Sequence, residues 1–197
     1  MIHKEKITSS KDISFLNDYW SRYYKILFEA RDDKKLIEAR DLILNTTDQG
    51  GKLIFVGNGA SASLASHAST DFTKQAKIKS ISFNDHNLIT ALSNDYGYEK
   101  WVEKALSYYA EKRDLVFFIS VSGQSKNLIN GFHYAKQKNI KTISFTGADK
   151  KNLLNTNSDC ALWVNSRAYN IVESIHTIWL TLIIDLIVGE AEYSVSS

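Results

Sequence analysis

The stretch Leu53-Ile-Phe-Val-Gly57-Asn-Gly-Ala-Ser61 decides the fold of this chain. A short β-rich run ends in a Gly/Asn/Ser loop, and the loop opens an apolar-patterned segment that carries His67 and Asp71. The first N–H groups of such a helix have no intrahelical partner, so the loop is a ready anion site. The layout returns as Leu115-Val-Phe-Phe-Ile-Ser120-Val-Ser-Gly-Gln-Ser125. Two such units suggest a phosphate-bearing ligand, held by helix N–H groups and by the neutral hydroxyls of Ser61, Ser120, Ser122 and Ser125. The competing reading is that these serines and glycines only shape turns and cap helices. No nucleotide cofactor is implied: the three-glycine dinucleotide fingerprint and the Gly-Lys-Ser/Thr of a phosphate-binding P-loop are both absent.

Outward from these loops, short β-branched runs alternate with helical segments. Strands are expected at residues 53–56, 80–83, 115–120, 142–146 and 161–164, and helices at 61–75, 85–93, 98–112, 125–138 and 168–189. Strands separated by helices imply right-handed crossovers and a parallel sheet covered on both faces. The expectation is an α/β, three-layer αβα sandwich with a five-stranded, flavodoxin-like sheet. Its ligands sit at the carboxyl ends of the strands, where both serine loops fall.

Before the first strand, residues 12–31 place Ile13, Leu16, Trp20, Tyr23, Tyr24, Leu27 and Phe28 at helical spacings, and Asp32 or Asp33 can cap a second helix that ends near Gly50-Gly51. The chain is expected to be one domain, residues 1–197, with a helical hairpin over 1–50 and the parallel core over 51–190. The aromatic stripe packs on its own domain or against a second subunit. The apolar last helix is interrupted by Glu173, His176 and Asp185, which favours a core or interface helix over a membrane span.

Composition agrees. The 197 residues, 44% of them hydrophobic, suffice for one sizeable core. With 24 basic and 22 acidic residues interspersed, the charge exerts no strong pull toward nucleic acid or a membrane surface. A single cysteine, Cys160, excludes an intrachain disulfide, and with no apolar signal core at the N-terminus a reducing cytoplasm is the expected location.

His67 and Asp71 share one helix face, as do Glu173 and His176. If the fold joins these faces, the set can bind a divalent metal or transfer protons. Taken singly, His176 on an apolar helix also reads as a satisfied core histidine, and Glu173 as half of an ion pair.

Gly57-Asn-Gly-Ala-Ser61, His67, Ala91-Leu-Ser-Asn-Asp95-Tyr-Gly-Tyr98, Ser120-Val-Ser-Gly-Gln-Ser125 and Thr146-Gly147 together resemble the sugar isomerase (SIS) domain, in particular its phosphoheptose isomerase branch. The resemblance runs in order from about residue 32 to 190. It implies aldose–ketose isomerisation of a phosphosugar such as sedoheptulose 7-phosphate, through an enediol, in a pocket between the subunits of a homodimer or homotetramer. On that reading Asp71 and His176 are the catalytic acid–base groups, and His67, Asp71, Glu173 and His176 are the ligands of a zinc ion. Substrate is held by Asn58, Ser61, Asp95, Ser120, Ser122, Gln124 and Ser125.

The chain departs from the branch in five places: to judge by the resemblance, Asp71 stands where the branch has a glutamate and, with the last helix registered on His176 and Asp185, Glu173 stands where it has a glutamine. The late-helix histidine falls on Thr181, or on Leu180 in a shifted register, and neither titrates. Ala60 replaces a glycine and Val121 a threonine. An alternative therefore stands beside the enzyme: a non-catalytic SIS module that binds a phosphosugar or a protein partner, resembling the replication-initiator-binding branch.

Overall fold

The computed structural model describes residues 9–194. They fall into two compact units that divide at Asp32/Asp33. The first holds α1 (Ser10–Tyr24), extended by one π-helical turn (Lys25–Glu29). Its start is fixed by a capping box, in which the Ser9 hydroxyl accepts from the Asp12 N–H and the Asp12 carboxylate accepts from the Ser9 N–H. Phe15, Tyr19 and Tyr23 form a ladder of rings with centroids 5.9 and 5.4 Å apart.

The second unit carries the sheet. Its elements in chain order are α2 (Asp33–Asp48), β1 (Leu53–Gly57), α3 (Ala60–Lys74), β2 (Ser80–Ser82), α4 (His86–Tyr96), α5 (Trp101–Tyr109), β3 (Leu115–Ser120), α6 (Lys126–Gln137), β4 (Lys141–Thr146), α7 (Leu153–Asn157), β5 (Cys160–Trp163) and α8 (Tyr169–Val188). The five strands are parallel in the order β2-β1-β3-β4-β5. The expected three-layer αβα fold is the observed one. α2 buries Leu36, Ala39 and Ile43 in the same core as the strands, and so belongs to the second compact unit.

Period-two alternation sorts the two core layers. Leu53, Phe55, Leu115, Phe117, Ile143 and Phe145 join residues of α2, α3 and α8, while Ile54, Val56, Val116 and Phe118 join residues of α5 and α6. Every residue of β1 and β3 is buried, which is why their sequences are apolar up to the terminal Gly57 and Ser120. Phe55 stacks on Phe117 at 4.3 Å and on Phe72 at 5.5 Å, adding about 0.5–1.5 kcal/mol per pair beyond area burial. At the amino ends of the strands, buried Asp114 accepts from the Lys52 backbone N–H and side chain and from the Glu111 N–H, pinning β1 to β3. The opposite end is left for the loops.

α8 is 20 residues long and, by length and composition alone, apolar enough to cross a membrane. Its inward face, with Ile171, Ile175, Leu180, Ile183 and Ile184, is buried against the sheet layer.

Candidate functional site

The strand order reverses between β1 and β3, so the chain leaves their carboxyl ends in opposite directions and opens a crevice there. Gly57 pairs in register with Ile119, which places the 58–59 loop beside the 121–125 loop. Gly57 is required by close approach: a Cβ there would lie 2.5 Å from the Ser61 carbonyl oxygen, so the first turn of α3 rests directly on the strand end. Gly123 is required by backbone conformation, with φ +63°.

Two polar features hold the loops in place. Asn58 and Asn127 exchange amide hydrogen bonds, 3.0 Å from the Asn58 Nδ2 and 2.9 Å from the Asn127 Nδ2, and the Tyr98 hydroxyl donates to the Asn58 Oδ1 at 3.1 Å. Asn152 sits under the second loop, where its Nδ2 donates to the Thr146 hydroxyl and the Asp149 carbonyl while its Oδ1 caps α7. Within the second loop, the Ser120 hydroxyl accepts from the Gly123 N–H and the Ser122 hydroxyl from the Gln124 N–H.

Helix starts in the chain divide into capped and uncapped ones, and α5, away from the crevice, is also uncapped. α1, α4 and α7 have side-chain caps from Ser9, Asp85 and Asn152. α3, α6 and α8, which open around the crevice, have none, although Ser125 stands at the N-cap of α6 with its side chain uncommitted to capping. Their first N–H groups remain available to an anion.

Two cavities meet here. One, about 300 Å³, is lined by Asn58, Ser61, Ser120, Ser122, Ser125 and Glu173 among others. The other, about 460 Å³, runs between α3 and α8 and is lined by Ser61, His67, Asn170 and Glu173 among others. Ala60, Ser61 and Glu173 line both.

The expected site residues therefore separate into those gathered here and those that stand elsewhere. Asn58, Ser61, Ser120, Ser122, Ser125, His67 and Glu173 are gathered. Gln124 is exposed at the loop edge, and Asp95 lies outside both cavities, accepting from the Asn94 amide. Asp71 sits one turn along α3 from His67, with its Oδ2 3.2 Å from the His67 Nε2. The structure does not bring His176 to the cavities. Three helix positions rotate it by about 60° from Glu173, enough to turn it inward, where it is fully buried and packs edge-on against Phe145. Its Nε2 donates to the Thr146 carbonyl at 3.1 Å, and its Nδ1 has no partner among the described residues. Burial pushes its pKa down to about 4 against the opposing pull of the Thr146 carbonyl, so the ring is neutral near pH 7. His176 is the core histidine of the two readings, and its expected roles as acid–base group and metal ligand are corrected accordingly.

Zinc calls for about four ligands. Among the described residues no three His, Cys, Asp or Glu side chains are grouped so that they could hold an ion, so the quartet of His67, Asp71, Glu173 and His176 does not fit that metal within one chain. The late-helix position Thr181 has its hydroxyl bonded to the Thr177 carbonyl.

Asn127, Asn152 and Tyr169 were not singled out by sequence. A buried asparagine at the start of an amphipathic helix is the one local signal that marks Asn127.

Comparison with known proteins agrees with this geometry. A family model described as SIS domain matches residues 18–147. A phosphoheptose isomerase of Helicobacter pylori is 34% identical over 152 residues, which is 74% of this chain and 79% of that protein. Two solved phosphoheptose isomerases share the fold at 23% identity: that of Neisseria gonorrhoeae with a TM-score of 0.82, over 91% of this chain and 99% of that one, and that of Francisella tularensis with 0.83, over 93% and 100%. The serine loops, their shared crevice and these likenesses converge, and the chain belongs to the SIS domain family, in the branch that holds the phosphoheptose isomerases.

Proposed function

We propose that the protein is a phosphosugar aldose–ketose isomerase acting on sedoheptulose 7-phosphate or a close relative. The observation that carries this reading is the crevice itself: three helix N-termini without side-chain caps surround a serine-lined cavity that continues into a second cavity bearing His67 and Glu173. The phosphate is held by helix N–H groups and by Ser61, Ser120, Ser122 and Ser125, while the sugar extends along the second cavity. Asn58 acts chiefly by joining the loops, since its Oδ1 already accepts from Asn127 and Tyr98. The reaction moves hydrogen within one substrate and leaves its oxidation state unchanged overall, so it uses no nucleotide.

The working form is a homodimer or homotetramer in the cytoplasm. Supporting assembly, α1 buries none of its own residues, and Phe15, Trp20 and Phe28 are each more than 60% exposed. Light scattering at micromolar concentration that finds only monomer refutes the assembly.

The function is tested by incubating the chain with sedoheptulose 7-phosphate and following the aldose product by NMR, with calorimetry for binding. Conversion supports the isomerase. One observation favours a second reading, a phosphosugar-binding module without turnover: in either register of the late helix, Thr181 or Leu180, the position the resemblance gives to a histidine does not titrate. Binding without conversion selects that reading, and no binding refutes both.

A further inference from the structure

Few groups in the joined cavities can move a proton. Among the residues that line them, the titratable side chains are His67, Tyr169 and Glu173. Tyr169 is 62% exposed at the mouth of α8. Asp71 lines neither cavity and is engaged with the His67 Nε2 at 3.2 Å. Glu173 stands where the cavities meet, and its carboxylate enters no ion pair or hydrogen bond among the described residues.

We infer that Glu173 is the catalytic base of this chain and that His67, oriented by Asp71, is its partner acid. The inference rests on the isomerase reading above. With phosphate on the serine loop, the sugar passes Ser61 and Glu173 into the larger cavity, on whose wall His67 stands. Glu173 takes a proton from the carbon next to the carbonyl while His67 gives a proton to the carbonyl oxygen, and an enediol forms. The hydroxyl proton on the neighbouring carbon then passes to His67 as Glu173 returns its proton to the former carbonyl carbon. Both groups end as they began, and two hydrogens have moved within the substrate. Asp71 is a positioning residue: it engages one ring nitrogen and leaves Nδ1 for the substrate. The assignment replaces Asp71 as base with the one carboxylate that reaches the cavities, on the late helix two turns before Thr181.

The test uses the full chain with sedoheptulose 7-phosphate in D2O, reading turnover and deuterium incorporation by NMR and affinity by calorimetry. Glu173→Gln keeps size and removes the base, so turnover and incorporation are expected to fall about 10²-fold or more with Kd changed less than about threefold. Glu173→Asp, which restores a carboxylate on a shorter arm, is expected to recover part of that loss. Asp71→Asn is expected to lower kcat by a smaller factor and to shift the pH profile of kcat, which a purely structural role would not move. Turnover by Glu173→Gln within about threefold of wild type overturns the inference. So does a Glu173→Gln variant that loses affinity as much as turnover, since Glu173 is then a binding group. A wild type that binds the phosphosugar but neither converts nor exchanges it overturns the isomerase reading and the inference with it, whereas a wild type that converts it while Glu173→Gln converts it equally well overturns the inference alone.

Discussion

Gly123 couples the proposed phosphate loop to its support, and replacing it with alanine measures that coupling. At φ +63° an L side chain is strained by about 1–2 kcal/mol. The new Cβ also falls 2.1 Å from the Asn152 Oδ1 and 2.3 Å from its Cγ, so that side chain must leave its place. Asn152 is 1% exposed, caps α7 through the Asn155 N–H, and donates to the Asp149 carbonyl at 2.7 Å. Losing the cap costs about 1 kcal/mol and a buried hydrogen bond about 1 kcal/mol more. The total, about 3–4 kcal/mol, corresponds to a Tm lower by about 10 °C in a domain of this size. Thermal unfolding followed by circular dichroism reads the loss directly. In a cycle with Asn152→Gly, which removes the obstructing side chain, the double variant is expected to lose less than the sum of the singles. A Gly123→Ala protein that melts within about 2 °C of wild type refutes the geometry of loop and support.

Replacing both Ser122 and Ser125 by alanine removes two neutral donors worth about 0.5–1.5 kcal/mol each. Phosphosugar affinity in calorimetry should fall about tenfold, and an unchanged Kd moves the phosphate elsewhere. No lysine or arginine lines either cavity, so the wild-type Kd should depend only weakly on salt. Acid should destabilise the fold in two stages. The His176 pKa is lowered to about 4 from 6.5, so between those values the unfolded chain binds the extra proton and stability falls with pH, by about 3 kcal/mol in all. Denaturant titrations from pH 7 to 4.5 check this, and His176→Gln should flatten the slope. Burial pushes the Asp159 carboxyl up, but hydrogen bonds from Lys141, Lys136 and Thr142 outweigh it and hold the group at about 2. Its contribution, present above pH 3.8, is lost only as pH falls from there toward 2.

How much of this was legible in sequence depends on the range of the interaction that decides each feature. β1 and β3 announce themselves because burial on both faces makes them apolar up to their last residues. α7 escapes because its five residues are too short to show a helical period. The expected helix over 98–112 is a 3₁₀ turn (Tyr98–Lys100) followed by α5, which ends at Tyr109. In the site, His67 and Asp71 meet as their spacing required, since one turn of one helix fixes both. The same spacing argument misplaces His176, because α8 is apolar on most sides and its pattern cannot tell which face meets the sheet. The Asn58–Asn127 bridge spans 69 positions, so only the packing of α6 against β3, the strand that pairs with β1, creates it.

That difference in range bears on which function survives change in this chain. Under the proposed function, phosphate holding draws on backbone N–H groups, and these persist wherever the helices start. Val121 has no hydroxyl to offer, yet it is buried and its carbonyl accepts from the Gly147 N–H, so the loop keeps its course without one. Proton transfer draws instead on particular side chains, and neither Leu180 nor Thr181, whose hydroxyl bonds the Thr177 carbonyl, can titrate whatever the backbone does. A carboxylate at 173, on the same helix and at the junction of both cavities, is the group to which the proposal above gives the base's role. The cradle can therefore be inherited unchanged while the reacting pair is rebuilt around it, and the separate responses of affinity and turnover to Glu173→Gln distinguish a rebuilt pair from a lost one.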